Sequence, residues 1–83
     1  MPEDRYRPIP CELHSRYELA VLRRRALTLA WRDPAGATHL ERVLPLDVRT
    51  RAGAEYLLVR RADGRELEVR LDRILHAEPL PAR

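Results

Sequence analysis

The spacing of apolar residues changes along the chain from a helical period to an alternating one. Between residues 11 and 22 apolar side chains recur at the spacing of one helix face. They are Leu13, Tyr17, Ala20 and Val21, with Cys11, Leu19 and Leu22 on a second flank. Pro10 suits a first helical turn, and the positive charges of residues 23–25 suit a helix C-terminus. The pattern therefore predicts a helix over residues 11–22.

Alternation begins directly after this helix. In residues 26–32 the large side chains Leu27, Leu29 and Trp31 occupy every second position, which predicts a half-buried strand. Residues 33–36 (Asp-Pro-Ala-Gly) form a turn cluster. Residues 38–44 predict a weaker strand, followed by a short turn over residues 45–48 and a polar loop over residues 49–53.

Residues 55–72 predict a hairpin. Asp63-Gly64 is a preferred dipeptide for a two-residue type I′ turn, since both positions need positive φ. That turn places residue 60 opposite 67 and residue 58 opposite 69, with Arg61 beside Glu66. Tyr56 and Leu58 then share a face with the apolar side chains of the second strand. Residues 56–59 are apolar on both faces, so we expect the helix to cover one of them.

Residues 73–77 predict a last short strand, which completes the architecture. We predict an α+β fold, with an N-terminal helix followed by a small five-stranded, strongly bent antiparallel sheet or Sm-like barrel. The single domain spans residues 11–78. Residues 1–10 form an irregular arm, and residues 79–83 form a disordered tail.

Charge and composition exclude a disulfide-rich or membrane-spanning protein but do not identify a binding partner. All 16 basic residues are arginine, and 13 acidic residues leave a net charge of +3. The arginines are spread along the chain, so charge alone does not predict a nucleic-acid surface. The single cysteine excludes an internal disulfide framework, and the chain has no apolar run of membrane-spanning length. We expect a cytoplasmic protein that is a monomer.

Cys11 and His14 raise the question of chemistry, because a spacing of three residues on a helix lets their side chains meet. A nucleophile also needs an oxyanion site and usually a third group that orients the base, and no motif supplies them. A structural zinc site needs four ligands, whereas His39 and His76 lie on separate strands without ligand spacing. We therefore expect no catalytic residues, no metal and no cofactor.

Three other residues have a structural and a functional interpretation. For Asp72 we favour hydrogen bonds to backbone amides at the bend between the last two strands over a role as a functional acid. Trp31 and Tyr56 could stack on nucleic-acid bases, but both occupy positions predicted to face inward. We therefore place them in the core.

A collinear series of residues resembles the Rof (YaeO) family, the Rho-specific inhibitors of transcription termination. The resemblance runs from about Tyr6 to Ala77. Its elements are Tyr6, Pro8, Ile9 and Cys11, then residues 18–20, Leu27 and Leu29, then residues 55–57 and Val59, and finally Gly64, residues 70–72 and Ile74. The family is identified by this series in order and spacing, with the helix first, rather than by one motif.

The resemblance implies a non-catalytic protein that binds the N-terminal RNA-binding domain of the termination factor Rho. Bound there, it would block RNA access and inhibit Rho-dependent termination, so that RNA is competed against rather than bound. The implied partner-binding residues are Glu12, His14, Ser15, Glu18 and, in a loop, Arg51. This helix carries fewer acids than is usual in the family, which shifts the expected contacts from charge towards shape. The alternative is an Sm-like RNA-binding module that uses exposed arginines.

Overall fold

The computed structural model describes residues 5–80. It contains one helix, five strands and a short 3-10 helix over Leu71–Arg73. The elements are α1 (Cys11–Arg23), β1 (Leu27–Arg32), β2 (Thr38–Arg51), β3 (Ala54–Arg61), β4 (Glu66–Arg70) and β5 (Ile74–Pro79). The strands form one antiparallel sheet in the order β4-β3-β2-β1-β5, which confirms the predicted α+β fold. The sheet stays open between β4 and β5 and does not close into a barrel.

Helix α1 begins and ends where its flanking residues allow. Pro10 precedes it in an extended conformation, and its carbonyl accepts the N–H groups of Leu13 and His14. Arg24 adopts a left-handed conformation and donates its N–H to the carbonyls of Ala20 and Val21, which ends the helix. The predicted helix is thus confirmed to within one residue.

The two predicted flanks of α1 have different surroundings. Tyr17 is buried, with Leu13, Ala20 and Val21 half-buried beside it, as the pattern predicts. The second flank faces solvent, because Leu22 is 79% exposed and Cys11 is exposed too. The helix therefore buries one stripe only.

Strand β2 corrects the prediction for residues 45–51. It runs without a break through these residues, predicted as a turn and the start of a loop, and the chain turns at Ala52 and Gly53. Its pairing with β1 ends at Val43, so Pro45 faces a partner on the β3 side only, and its missing N–H costs no bond to β1. A register shift between Pro45 and Asp47 absorbs Leu46. Proline and the bulge therefore redirect this strand without ending it.

The β3–β4 hairpin has a different turn from the predicted one. The loop is Ala62-Asp63-Gly64, since the N–H of Arg61 donates to the carbonyl of Arg65 and the N–H of Gly64 to that of Arg61. Gly64 has a φ of 87°, as in a type I turn followed by a left-handed residue. Two adjacent positive φ values, which a type I′ turn requires, occur instead at Ala52 and Gly53, between β2 and β3.

One extra loop residue shifts the hairpin register and exchanges the faces of β3. Leu57 pairs with Val69 and Val59 pairs with Leu67, and this side faces the core. The predicted placement of Tyr56 in the core is wrong, because Tyr56 lies on the other face beside Arg70. The predicted partner of Glu66 also changes, since Arg60 occupies that position and Arg61 pairs with Glu41 on β2.

The core joins the helix to one face of the sheet. Tyr17 from α1 lies in a cluster with side chains from every strand or from the turn before β5. The buried members are Tyr17, Leu27, Leu29, Trp31, Val43, Leu57, Val59, Val69 and Leu71. Trp31 is buried as predicted. Leu58, on the second face of β3, is also buried, so that strand is covered on both sides as its sequence predicts.

Both described ends of the chain contact the sheet. Residues 5–10 have no regular structure, and the N–H of Arg7 donates to Asp72 Oδ2 over 2.8 Å. Asp72 therefore binds a backbone amide, although in the N-terminal arm and not at the predicted bend. Pairing of β5 reaches Pro79, and the N–H of Leu80 donates to the Ala26 carbonyl. The remaining arm and tail residues, 1–4 and 81–83, lie outside the described part of the chain.

Candidate functional site

The outer face of α1 presents three of the residues implied by the resemblance. Glu12, Ser15 and Glu18 follow one another at intervals of three, so they share one side of the helix. All three are exposed, whereas Tyr17 turns inward. The stripe that anchors α1 on the sheet therefore determines which side chains face solvent. We call Glu12, Ser15 and Glu18 the outer face of α1.

His14 connects this face to the sheet. Its Nδ1 lies 3.0 Å from Glu18 Oε1, and its Nε2 lies 3.0 Å from Glu55 Oε1 at the start of β3. Each nitrogen of the ring therefore has one carboxylate beside it. The same Glu55 accepts the hydroxyl of Tyr6 through Oε2 over 3.2 Å. His14 thus holds Glu18 in place and ties the helix to β3.

Glu55 is a functional candidate that the sequence interpretation did not assign. It contacts both His14 and Tyr6, which are 41 and 49 residues away in sequence. The sequence signals that mark it are its acidic side chain directly before the apolar residues 56–59 and its place in the series that resembles the Rof (YaeO) family. Burial and the Glu55 hydrogen bond together raise the pKa of Tyr6 to about 12.

Arg51 lies apart from the helix residues. Its Nη2 donates to Glu68 Oε1 over 2.8 Å, and its guanidinium lies 4.6 Å from the centre of the Tyr56 ring. Adjacent residues of a strand point to opposite faces, so Tyr56 and Glu55 lie on different sides of β3. The structure therefore brings four of the five implied residues together and places Arg51 on the other face of the sheet.

A second feature is a groove of about 350 Å³ over the open side of the sheet. We call it the arginine groove, after Arg32, Arg61, Arg70 and Arg73 in its wall. The Trp31 and His39 rings stack there, with centroids 5.1 Å apart. Asp33 Oδ2 lies 2.7 Å from His39 Nε2, and this hydrogen bond is the main cause of the lowered pKa of Asp33.

Most arginines of this groove already contact acceptors within the chain. Arg61 donates through two nitrogens to Glu41, at 2.8 and 2.6 Å, and these bonds lower the pKa of the Glu41 carboxyl. Arg70 contacts both carboxylate oxygens of Asp72, at 2.6 and 3.0 Å. Arg73 donates to the carbonyl of Asp33. The positive charge of the groove is therefore largely balanced by its own neighbours.

The Cys11–His14 pair is not assembled as a reactive site. The two ring nitrogens of His14 face Glu18 and Glu55, and the thiol of Cys11 is exposed. Within residues 5–80 no group of three or more His, Cys, Asp or Glu side chains is arranged to hold a metal ion. Over the same residues, no helix has the length and apolar character needed to cross a membrane.

Comparison with known proteins gives the fold. No protein-family model and no curated protein matches the chain. Among solved structures, the chain is similar to proteasome accessory factor B/C (PafBC) of Arthrobacter aurescens, with a TM-score of 0.73 and 19% sequence identity. The similarity covers 88% of this chain and 12% of the PafBC chain. A likeness at this identity identifies a shared small α+β fold, and function has to be argued from the surfaces.

Proposed function

We propose that the chain is a non-catalytic protein that binds the N-terminal RNA-binding domain of Rho through the outer face of α1. By covering that domain it would block RNA access and inhibit Rho-dependent termination. The observation that carries the proposal is the exposure of Glu12, Ser15 and Glu18 on one side of an anchored helix. The collinear resemblance to the Rof (YaeO) family supplies the identity of the partner.

The two carboxylates on the outer face of α1 suit a basic partner surface. A domain that binds RNA presents basic side chains to phosphates, and carboxylates at the same positions can compete for them. Glu12 lies in the first turn of α1, and Glu18 lies six residues further on. Arg16 and Arg23 balance the charges of the two glutamates, so the fit of the helix surface contributes more than long-range attraction.

His14 holds the Glu18 side chain in place before a partner binds. Because Glu18 and Glu55 both contact its ring, the Glu18 side chain loses little additional freedom when a partner binds. Ordering a flexible side chain at an interface costs about 0.5–1.5 kcal/mol, and the His14 contacts remove part of that cost beforehand. Glu18 is nevertheless 57% exposed and remains accessible to a partner.

The test is calorimetric titration of the chain into the isolated N-terminal domain of Rho from the same organism, with C-rich RNA as competitor. We expect an equimolar complex that excludes the RNA. Glu18→Arg should weaken it about tenfold or more, equivalent to about 1.4 kcal/mol. Glu66→Arg is the matched control, because Glu66 is a similarly exposed acid on the far hairpin. Absence of heat at tens of micromolar would overturn the proposal.

The arginine groove supports a second candidate, an RNA-binding module. Arg32 is exposed in its wall, and His39 is half-buried over Trp31. The internal pairing of Arg61 and Arg70 weighs against this candidate, since a phosphate would have to displace Glu41 or Asp72. A gel shift with single-stranded RNA at low salt that weakens steeply with added salt and with Arg32→Glu would favour it over Rho binding.

A further inference from the structure

A groove of about 510 Å³ lies between α1 and β5, on neither of the surfaces discussed above. Its helix wall includes Leu13 and Ala20, and its strand wall includes Leu75 and Ala77. Two of the exposed large apolar side chains of the chain stand at this groove, Leu19 at 43% and Leu75 at 54% exposure. We call it the α1–β5 groove.

The charged side chains that line this groove have one sign, and the nearby acid Glu78 of β5 contacts His76. Arg16, Arg23 and Arg25 line it together with His76, and none of the described residues that line it is acidic. The whole chain has 16 basic and 13 acidic residues, so this is a local excess of positive charge. Arg25 donates to the backbone carbonyl of Leu80 at 2.7 Å, and within residues 5–80 its charge has no carboxylate partner. Arg16 and Arg23 are exposed.

Strand β5 is an edge strand of the sheet beside this groove. It pairs with β1 along one side and stands at the end of the strand order, so its other side is a free edge of the described sheet. Such an edge presents unpaired N–H and C=O groups that can accept another strand. Its sequence from Ile74 to Glu78 carries no proline that would block pairing before Pro79.

We propose that the α1–β5 groove binds an acidic, leucine-rich segment of a partner protein, which adds as a strand to β5. The backbone of the segment would pair with the β5 edge, and alternate apolar side chains would enter the groove beside Leu75 and Leu19. Its carboxylates would meet Arg16 and Arg23. This partner is opposite in charge to the basic domain expected at the outer face of α1, and the proposal does not depend on Rho binding.

The test uses a capped peptide of alternating glutamate and leucine, titrated into the intact chain and followed by NMR. We expect saturable shifts centred on Leu75, His76 and Leu19, with a dissociation constant on the order of 100 μM, as for a short strand-forming ligand. A peptide with lysine in place of glutamate should bind at least about tenfold more weakly, because Arg16 and Arg23 would repel it.

Matched variants locate the site. Arg16→Glu with Arg23→Glu should weaken the acidic peptide about tenfold or more, whereas Arg65→Glu, at an 82% exposed arginine of the far hairpin, should leave it unchanged. Leu75→Ser should weaken it as well, and Leu40→Ser, at an exposed leucine outside the groove, should not. Circular dichroism checks that each variant remains folded.

Three outcomes would overturn the proposal. Equal affinity for the acidic and basic peptides would show that Arg16 and Arg23 do not select the ligand by charge. Decanoate that saturates the same residues and displaces the peptide at lower concentration would identify a fatty acid as the occupant. Sedimentation that reveals a dimer broken by Leu75→Ser would assign the groove to a second copy of the chain.

Discussion

At the scale of single residues, the Glu41–Arg61 pair carries the clearest electrostatic consequence. The two side chains meet across β2 and β3, with both carboxylate oxygens accepting hydrogen bonds, and each is only about one-third exposed or less. The hydrogen bonds from Arg61 lower the pKa of Glu41. A lowered carboxyl pKa means that the folded state favours the charged form more than the unfolded state does.

This pair predicts a loss of stability in acid. Its contribution is fully present above the unfolded pKa of about 4.5 and is lost as pH falls through the lower folded value. Glu41→Gln should therefore reduce the free energy of unfolding at neutral pH and flatten its decline below pH 4.5. Urea unfolding followed by tryptophan fluorescence across the acidic range measures both effects.

Glu78→Gln is the matched control, because Glu78 is an exposed acid on β5 that contacts only the solvent-facing His76 among the pairs described. Its stability profile should follow that of the unmodified chain. If the free energy of unfolding of Glu41→Gln declined in acid as steeply as that of the unmodified chain, the Glu41–Arg61 pair would not be the cause of the decline. Asp33, whose pKa is lowered mainly by His39, contributes in the same direction and leaves a residual slope in the variant.

At the scale of elements, the sequence predicts well wherever local periodicity and burial agree. The stripe through Leu13 and Tyr17 determines α1, and the alternation of Leu27, Leu29 and Trp31 determines β1. The predicted end of β2 before Pro45 is wrong, because a proline and a polar stretch normally interrupt strands but do not interrupt this one. The pairing of β2 with β1 ends before Pro45, so the proline needs no hydrogen bond on that side. Only the strand pairing in the structure shows this.

Turn geometry explains the other element-scale error. Asp63-Gly64 permits both a two-residue loop and a three-residue loop with Gly64 last, and the two differ by one residue in register. In the structure Arg61 pairs with Glu41 on β2, a contact that is non-local in sequence. Local preference alone therefore could not determine which side of β3 faces the core.

The two hairpin loops give opposite predictions for substitution. Ala52 has a φ of 52°, an unfavourable value for alanine that asparagine tolerates better, so Ala52→Asn should stabilise the fold by about 0.5–1 kcal/mol. Gly64 has a φ of 87°, a conformation that residues with a side chain rarely adopt. Gly64→Ala should therefore destabilise the fold by about 1 kcal/mol. Denaturant unfolding of the two variants measures the difference.

Ala62→Asn is the control for the asparagine effect, because Ala62 lies in a hairpin loop without a positive φ. It should change the free energy of unfolding by less than about 0.5 kcal/mol. If Ala52→Asn and Ala62→Asn had equal effects, the left-handed conformation of Ala52 would not be the cause.

The candidate site shows the same division between local and non-local information. Once Tyr17 is placed inward, helical geometry alone puts Glu12, Ser15 and Glu18 outside. The contacts of His14 and Arg51 depend on Glu55 and on Tyr56 with Glu68, which are distant in sequence. A sequence pattern cannot supply those partners without the correct register of β3.

At the scale of the whole molecule, the arm over residues 5–10 fastens the N-terminal region to the sheet. Tyr6 donates to Glu55, and Arg7 donates to Asp72, whose carboxylate is held by Arg70. Ile9 packs against the core cluster. These contacts join the arm to β3 and to the turn before β5, so we expect the arm to contribute to global stability.

The raised pKa of Tyr6 makes this contribution measurable in alkali. The folded state holds the phenol proton more tightly, so the contribution is present below pH 10 and is lost as pH rises towards about 12. Tyr6→Phe should cost about 0.5–1.5 kcal/mol at neutral pH through the lost hydrogen bond and should make the alkaline decline shallower. Urea unfolding across the alkaline range tests both.

Burial also raises the pKa of Tyr17, so part of the alkaline decline should remain in Tyr6→Phe. Tyr56→Phe serves as the control, since its hydroxyl makes no described hydrogen bond to the arm. An alkaline profile unchanged by Tyr6→Phe would show that the arm contact does not couple to folding.

The place of β5 in the sheet has a consequence during synthesis. This strand pairs with β1, yet the two are separated in sequence by the whole β2–β4 meander. While only the residues up to β4 have left the exit tunnel of the ribosome, the β1 edge lacks its partner strand. The sheet can be completed only after residues 74–79 leave the exit tunnel, so the α1–β5 groove cannot exist on the nascent chain before then.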